Sequence, residues 1–221
     1  MKYLIGLLMK LGLENYVAKQ LSKPSGFFGS RIIGRMMNNG NSHLEQTVLT
    51  QAKITSEHHV LEIGFGNGKL LGALCSLVDA GKVYGADISK DLVNQVSSRL
   101  KNQLDSGKLE LHLAGVSQLP FDDNSLDRII TCNTIYFWPE PLADAKELLR
   151  VLKPGGQLFI GYRTTDEMEE YPFVAQNLDI FKNRFSDAEV ESLLRNAGFI
   201  SVSSIVEPYE LAPSHLAVGV R

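Results

Sequence analysis

Short hydrophobic runs alternate with longer amphipathic stretches along most of the chain. The short runs are rich in β-branched and aromatic residues, which indicates buried strands, and apolar residues recur at helical spacing between them. The pattern predicts seven strands, at 58–63, 82–87, 109–113, 126–132, 157–162, 199–206 and 215–220. Strands that alternate with helices in this way are typical of a doubly wound α/β fold, in which helices cover both faces of a mostly parallel sheet.

Polar residues at the ends of the amphipathic stretches predict where the helices begin. Ser42–Glu45 and Ser186–Glu189 both have the S-x-x-E form of a capping box, and Ser89 is a further candidate for an N-cap. The predicted helices are 42–54, 67–78, 89–103, 141–152 and 186–198. We expect an N-terminal helical or lid extension at 1–41 and one domain at 42–221. The segments 22–41 and 164–183 show no regular pattern and are candidates for lids or substrate-facing insertions.

The composition indicates an ordinary packed domain. Of the 221 residues, 44% are hydrophobic and 21% are charged, and the net charge of -3 argues against a dedicated nucleic-acid binder. The two cysteines, Cys75 and Cys132, are too few for a disulfide framework and lack the spacing of metal ligands. The sequence therefore predicts no metal site and a reducing, cytoplasmic environment.

The N-terminal segment is basic and apolar. Met1–Leu44 contains six basic residues and one acidic residue, and the apolar run at 1–13 is interrupted by Lys10 and is too short to span a bilayer. We interpret that run as a helix. Three interpretations of the segment stay open: a lid that carries Phe28 over a substrate, a helix that rests on an anionic membrane surface, or an element that simply packs on the domain.

Three glycines follow the first predicted strand in the sequence VLEIGFGNGK, at 60–69. Ligands of doubly wound sheets bind outside the carboxyl ends of the strands, where glycines allow a tight turn and a close approach of the backbone. The spacing Gly64-x-Gly66-x-Gly68 is one residue shorter than the dinucleotide pattern G-x-G-x-x-G. The loop is therefore a candidate binding site for a nucleoside-containing ligand other than NAD.

This shorter loop, with Glu62 two residues before its first glycine, resembles motif I of the class I S-adenosylmethionine (SAM)-dependent methyltransferases. Asp87 ends the second predicted strand, nineteen residues after Gly68. The stretches LPFDDNSLD, at 119–127, and LLRVLKPGGQLFIG, at 148–161, are similar to the superfamily's segments around strands four and five. The resemblance covers about 60–161, with four matched segments in the same order.

The resemblance implies a Rossmann-like fold of seven strands, the last of them antiparallel, and SAM as the cofactor. The glycine backbone would face the amino-acid part of SAM, Glu62 its ammonium group, Asp87 the ribose and Ile88 the adenine. The expected cofactor-binding residues are Glu62, Gly64, Phe65, Gly66, Gly68, Asp87, Ile88, Val116, Ser117 and Asn133. Many relatives carry an Asp before the LPF stretch, where this chain has Ala114-Gly115-Val116, so Val116 or Ser117 would have to contact the adenine edge.

Aromatic residues mark the expected acceptor side. Tyr136, Phe137 and Trp138 follow the fourth predicted strand, where they would either wall an apolar acceptor or pack the next helix. The candidate substrate-binding residues are Tyr136, Trp138, Tyr162 and Phe28. No residue is assigned a catalytic role, because methyl transfer from SAM requires alignment more than a nucleophile.

The resemblance implies a SAM-dependent methyltransferase that acts on a small, apolar or aromatic molecule. Two alternatives stay open. The stretch 36–43, MMNNGNSH, is faintly similar to a segment of quinone-ring C-methyltransferases, which would act on a quinone or lipid precursor at a membrane. A SAM-binding protein without catalysis is the second alternative. The sequence does not determine the acceptor atom or the oligomeric state.

Overall fold

The computed structural model describes residues 12–26, 34–209 and 213–221. Two helices, α1 (Glu14–Ser22) and α2 (Gly34–Ala52), precede the first strand. The elements that follow are β1 (His59–Ile63), α3 (Lys69–Leu77), β2 (Lys82–Asp87), α4 (Lys90–Arg99), α5 (Lys101–Asp105), β3 (Leu109–Leu113), β4 (Leu126–Cys132), α6 (Pro141–Val151), β5 (Leu152–Tyr162), α7 (Thr165–Glu169), α8 (Pro172–Ala175), α9 (Asp187–Ala197), β6 (Ser201–Glu207) and β7 (Ser214–Val220).

The seven strands form one sheet in the order β3-β2-β1-β4-β5-β7-β6. β1 to β5 are parallel, whereas β7 runs antiparallel to both β5 and β6. This arrangement confirms the predicted doubly wound fold and its antiparallel last strand. β1 pairs with β2 on one side and with β4 on the other, so the strand order reverses there, and the carboxyl ends of these strands border the crevice in which such folds bind ligands.

Alternating strand residues build two cores, one on each face of the sheet. In β1, Leu61 and Ile63 belong to one buried cluster and Val60 to the other. The first cluster also contains residues of α1, α6 and α9, and the second contains residues of α2, α3 and α4. The helices therefore cover both faces, as the sequence predicts, and the ligand crevice lies at the carboxyl ends of the strands.

The local sequence signals predict a helix end correctly unless a longer helix already spans that position. Ser186 and Glu189 form the predicted capping box of α9, Gly198 ends that helix with a left-handed backbone, and Ser89 caps α4 by accepting a hydrogen bond from the backbone of Leu92. The capping box predicted at Ser42–Glu45 is wrong, because α2 has already begun at Gly34. Both of its side chains contact Lys69 instead.

Three further boundaries differ from the prediction. The helix predicted over 89–103 divides at Leu100 into α4 and α5. The Lys-Pro-Gly-Gly stretch at 153–156 does not precede β5 but belongs to it, with irregular pairing against β4 and a left-handed Gly155. The segment 164–183, which lacks a sequence pattern, contains the short helices α7 and α8. Among the described residues, no helix has the length and apolar character needed to cross a membrane.

Candidate active site

The glycine loop after β1 forms the floor of a cleft at the carboxyl ends of β1, β2 and β4. Gly64 has φ +69°, and a Cβ there would lie 2.4 Å from Thr134 Cγ2, so the loop approaches the segment after β4 too closely for any side chain. Its N–H donates to the carbonyl of Ala86 at the end of β2 (2.8 Å). Gly66 has φ +53° and nothing within 4 Å of a Cβ position. Its backbone is therefore open to a ligand.

Gly68, the third glycine of the loop, is not among the residues that line the cleft. It is the left-handed N-cap residue of α3, and a Cβ there would lie 2.8 Å from Val96 Cγ1. The third glycine of the loop thus allows α3 and α4 to pack closely.

Asp87 joins the loop to the end of β2. Its Oδ2 accepts from the Gly66 N–H (3.2 Å) and its Oδ1 from the Ser89 N–H (2.8 Å). The side chain is 6% exposed, and burial raises its pKa from 3.8 to about 6, although these backbone hydrogen bonds act in the opposite direction. Asp87 therefore holds the loop and lines the cleft with a carboxyl group that titrates near neutral pH.

Glu62, in β1, is a buried carboxyl group at the same end of the cleft. It is 5% exposed, and its Oε2 has no hydrogen-bond partner among the described residues. Burial is the largest cause that raises its pKa well above the usual range, and the nearby Glu45 and Asp87 add to it. A buried acceptor without a partner is costly in a folded protein, which indicates that a ligand supplies the missing donor.

Apolar side chains also line the cleft. Ile88, which directly follows Asp87, is 44% exposed although it is a large hydrophobic residue, and it lines the cleft together with Val116 and Ser117. Nine of the ten expected cofactor-binding residues, all except Gly68, line this one cleft. The cavity measures about 200 Å³ behind an open mouth, and apolar side chains line it together with a few polar groups, as is common for ligand sites.

The aromatic candidates separate into two groups. Trp138 lines the cleft together with Phe137, and its indole N–H donates to Thr134 (3.1 Å). Tyr136 and Tyr162 do not line it. Tyr136 is buried, and its hydroxyl donates to the side chain of Asn133 (3.0 Å), whose backbone is left-handed with φ +56°. Burial also raises the pKa of this hydroxyl, so it keeps the proton that it donates to Asn133. Tyr136 therefore contacts Asn133 from within the core.

Tyr162 lies deeper still, 1% exposed, and its hydroxyl donates to Asp187 at the start of α9 (2.6 Å). Burial is the main cause that raises its pKa. Phe28, the remaining substrate candidate, lies outside the described residues. No histidine occurs among the described residues that line the cleft.

Part of the wall comes from the N-terminal segment, for which a lid over the ligand site was one of the three interpretations. Leu21, Ser22 and Pro24 line the cleft. The Ser89 hydroxyl donates to the Pro24 carbonyl (2.5 Å), and the backbone N–H of Gly26 donates to Asp91 Oδ2 (2.7 Å). This segment is therefore anchored at the beginning of α4, two residues from Asp87. No local pattern relates positions 65 residues apart, so the sequence carried no signal for these contacts.

Other lining residues were not predicted either. They are Glu45, Ile63, Asn67, Leu70, Ala86, Leu92, Ala114, Gly115, Cys132, Thr134, Phe137 and Pro139. Most of them neighbour a predicted residue in the chain, and a signal existed for these in the strand ends. Glu45 is the exception, because it projects from α2, which precedes the sheet.

Comparison with known proteins places this cleft in a family. The Methyltransferase domain family matches residues 61–160. O-methyltransferase cnsE of Penicillium expansum is 30% identical over 153 residues, which are 67% of this chain and 55% of that protein, so the chain spans about half of its length.

Two further relatives cover more of their own length. The ubiquinone/menaquinone biosynthesis C-methyltransferase UbiE of Francisella tularensis subsp. novicida is 25% identical over 189 residues, 72% of this chain and 73% of the relative. The crystal structure of a SAM-dependent methyltransferase from Aquifex aeolicus has a TM-score of 0.68 and 25% identity, and the match covers 85% of this chain and 96% of that one. Residues 61–160 are thus a methyltransferase domain, and over most of its length the chain is similar to SAM-dependent methyltransferases.

Proposed function

We propose that the chain binds SAM in this cleft and transfers its methyl group to a small, apolar or aromatic acceptor. One observation carries the proposal: an unpartnered carboxyl group, a second carboxyl group at a strand end and an exposed aliphatic side chain line one cleft around a glycine loop. These are Glu62, Asp87 and Ile88. SAM has an ammonium group, a ribose diol and an adenine ring, which match the three in chemistry.

The roles follow from the chemistry of each group. Glu62 accepts from the ammonium group, which removes the cost of its buried free oxygen. Asp87 accepts from the ribose hydroxyls, and Ile88 packs on the adenine face. Gly66 leaves the backbone open beside the amino-acid part, because no side chain fills that space. Val116 and Ser117 border the adenine edge, in place of the acid that many relatives carry.

Bound SAM supplies a methyl group on a positively charged sulfur. The chain's own contribution is to align the acceptor with that group and to exclude water from it. A general base is required only for an acceptor that must lose a proton. Phe137 and Trp138 line the cleft after β4, with Leu21 of the N-terminal segment, and these apolar side chains favour a planar or aliphatic acceptor over a charged one.

A quinone or lipid precursor is a second candidate acceptor, and the similarity to a quinone C-methyltransferase supports it. A third candidate function is SAM binding without catalysis, because a fold does not determine an activity. The three candidate functions differ in whether a methyl group is transferred and to which acceptor, whereas the cofactor binds in the same place in all of them. Turnover experiments therefore distinguish them.

The first experiment is calorimetry with SAM, S-adenosylhomocysteine (SAH) and NAD. We expect SAM and SAH to bind and NAD to show no binding; NAD binding without SAM binding would refute the proposal. The second experiment incubates the protein with methyl-labelled SAM and fractionated metabolite extract. Label in a small apolar product supports the main proposal, label in quinols or lipid precursors supports the second candidate, and tight binding without any transfer supports the third.

A further inference from the structure

A third carboxyl group lies near Glu62 and Asp87 in the cleft. It belongs to Glu45, in α2, and it lines the cleft although α2 precedes the sheet and lies outside residues 61–160. The side chain is 13% exposed, and its Oε2 lies 3.0 Å from Lys69 Nζ. Lys69 directly follows Gly68 at the start of α3. This ion pair therefore fixes the Glu45 carboxylate beside the end of the glycine loop.

The charges at this end of the cleft are unbalanced. Lys69 pairs with Glu45 and also donates to Ser42 Oγ (3.1 Å), and its side chain is 51% exposed, so it faces outward. Glu62 Oε2 has no hydrogen-bond partner in the described part of the chain. After burial, the charge of Glu45 is the largest cause that raises the pKa of Glu62, so the two carboxyl groups are close enough to repel each other. A cation placed between them would remove that repulsion.

We infer that Glu45 is a second binding residue for the ammonium group of SAM, which it shares with Glu62. The inference rests on the proposed function, since it deepens the cofactor site described there. An ammonium group has three N–H donors and can serve two carboxylates at once. The residue comes from α2, so an element ahead of the methyltransferase domain completes the cofactor site and positions the amino-acid part of SAM.

The test compares two ligands that differ in the ammonium group alone: SAH, and its desamino analogue in which hydrogen replaces that group. Glu45→Gln keeps the shape of the side chain and removes its charge. We expect it to weaken SAH binding by about 5- to 20-fold, as for a partly covered charge-assisted hydrogen bond, and to change binding of the analogue by less than about twofold. Glu45→Ala should give the same ligand-specific pattern.

Two control variants separate this role from a structural one. Glu191→Gln removes a comparable helix ion pair, with Arg195 at 2.7 Å, far from the cleft, and should change neither affinity. Lys69→Met breaks the pair with Glu45 but leaves both carboxylates, so it should weaken SAH binding less than Glu45→Gln does.

The outcomes that overturn the inference are distinct. Equal weakening of SAH and the analogue by Glu45→Gln would mean that Glu45 shapes the cleft without contacting the ammonium group. Weakening of SAH by Lys69→Met, to the same extent as by Glu45→Gln, would assign the effect to the ion pair. Unchanged SAH affinity in Glu45→Gln would overturn the inference and leave the proposed function intact, whereas a wild-type protein that binds neither ligand would refute the proposed function itself.

Discussion

The Asp87 carboxyl group should make cofactor binding depend on pH in a range that is easy to measure. Burial raises its pKa to about 6, from an ordinary value of 3.8. It binds two ribose hydroxyls more strongly when ionised, because protonation turns one of its oxygens into a donor and removes the charge. A suitable probe is 5′-methylthioadenosine, which contains the ribose and the adenine but lacks the amino-acid part of SAM, so that Glu62 and Glu45 have no ligand ammonium to bind.

The magnitude follows from the titration. With a pKa of about 6, the ionised fraction is about nine-tenths at pH 7 and about one-tenth at pH 5. The affinity for 5′-methylthioadenosine should therefore fall about tenfold between pH 7 and pH 5 and stay constant above about pH 7. Asp87→Asn should bind about 10- to 100-fold more weakly at pH 7, without this pH dependence. Calorimetry at intervals from pH 5 to pH 8 measures both effects.

The same pKa shift has the opposite effect on the stability of the cofactor-free protein: affinity for the ligand rises with pH, whereas this contribution to stability falls. Because the folded pKa lies above the unfolded one, folding favours the protonated carboxyl group, and this contribution is complete below about pH 3.8 and lost as the pH rises through about 6. It amounts to on the order of 3 kcal/mol. Asp87→Asn should therefore be at least as stable as the wild type at pH 7.5 in a thermal melt. A wild-type affinity that is flat from pH 5 to pH 8, or full affinity in a folded Asp87→Asn protein, would refute the reasoning.

Three other predictions concern the loop, the wall and the thiol. Gly64→Ala should lower the free energy of unfolding by about 2–4 kcal/mol and abolish SAH binding, whereas Gly107→Ala, equally left-handed but in open space, should cost about 1 kcal/mol in a denaturant titration. Deleting residues 1–26 should weaken SAH binding about 5- to 50-fold in calorimetry, and Asp91→Asn about twofold, because that segment lines the cleft; affinity equal to wild type would contradict this. Burial raises the pKa of the Cys132 thiol well above its usual range, so alkylation at pH 8 should be slower than for a free cysteine, and Cys132→Ser should keep SAH affinity.

The sheet and the loop that lines the cleft after β1 were predictable because their sequence signals are local. Each strand is a short apolar run bounded by turn residues, and the positions of β2, β3 and β4 agree with the prediction residue for residue. The glycine loop and Asp87 lie directly after strands, so the topology alone brings them to one edge. Gly68 shows the limit of the motif, because its spacing is that of a ligand loop while its contact is with Val96 of the neighbouring helix.

The acceptor side was less predictable, because adjacent aromatic residues point in different directions. Residues 135–137 form a single 3₁₀ turn after β4. In that turn Tyr136 enters the core and reaches Asn133, while Phe137 and Trp138 line the cleft. Composition alone does not distinguish these directions, since all three side chains are aromatic. Tyr162 likewise lies at the correct strand end, yet it is directed toward Asp187 in α9.

The N-terminal extension is where the predicted and the observed element boundaries differ most. The expected boundary at 41/42 falls inside α2, which is continuous from Gly34 to Ala52. The region before β1 contacts the chain on both sides of the glycine loop. Pro24 is anchored beside Asp87, and Glu45 pairs with Lys69 at the start of α3. The sequence left three roles open for this segment: a lid over the acceptor, a helix on a membrane surface, or an element packed on the domain. Its contacts lie close to Asp87, so a change in this segment should alter cofactor affinity as well as acceptor choice. Relatives that share the domain at 61–160 but differ before it need not bind SAM in the same way.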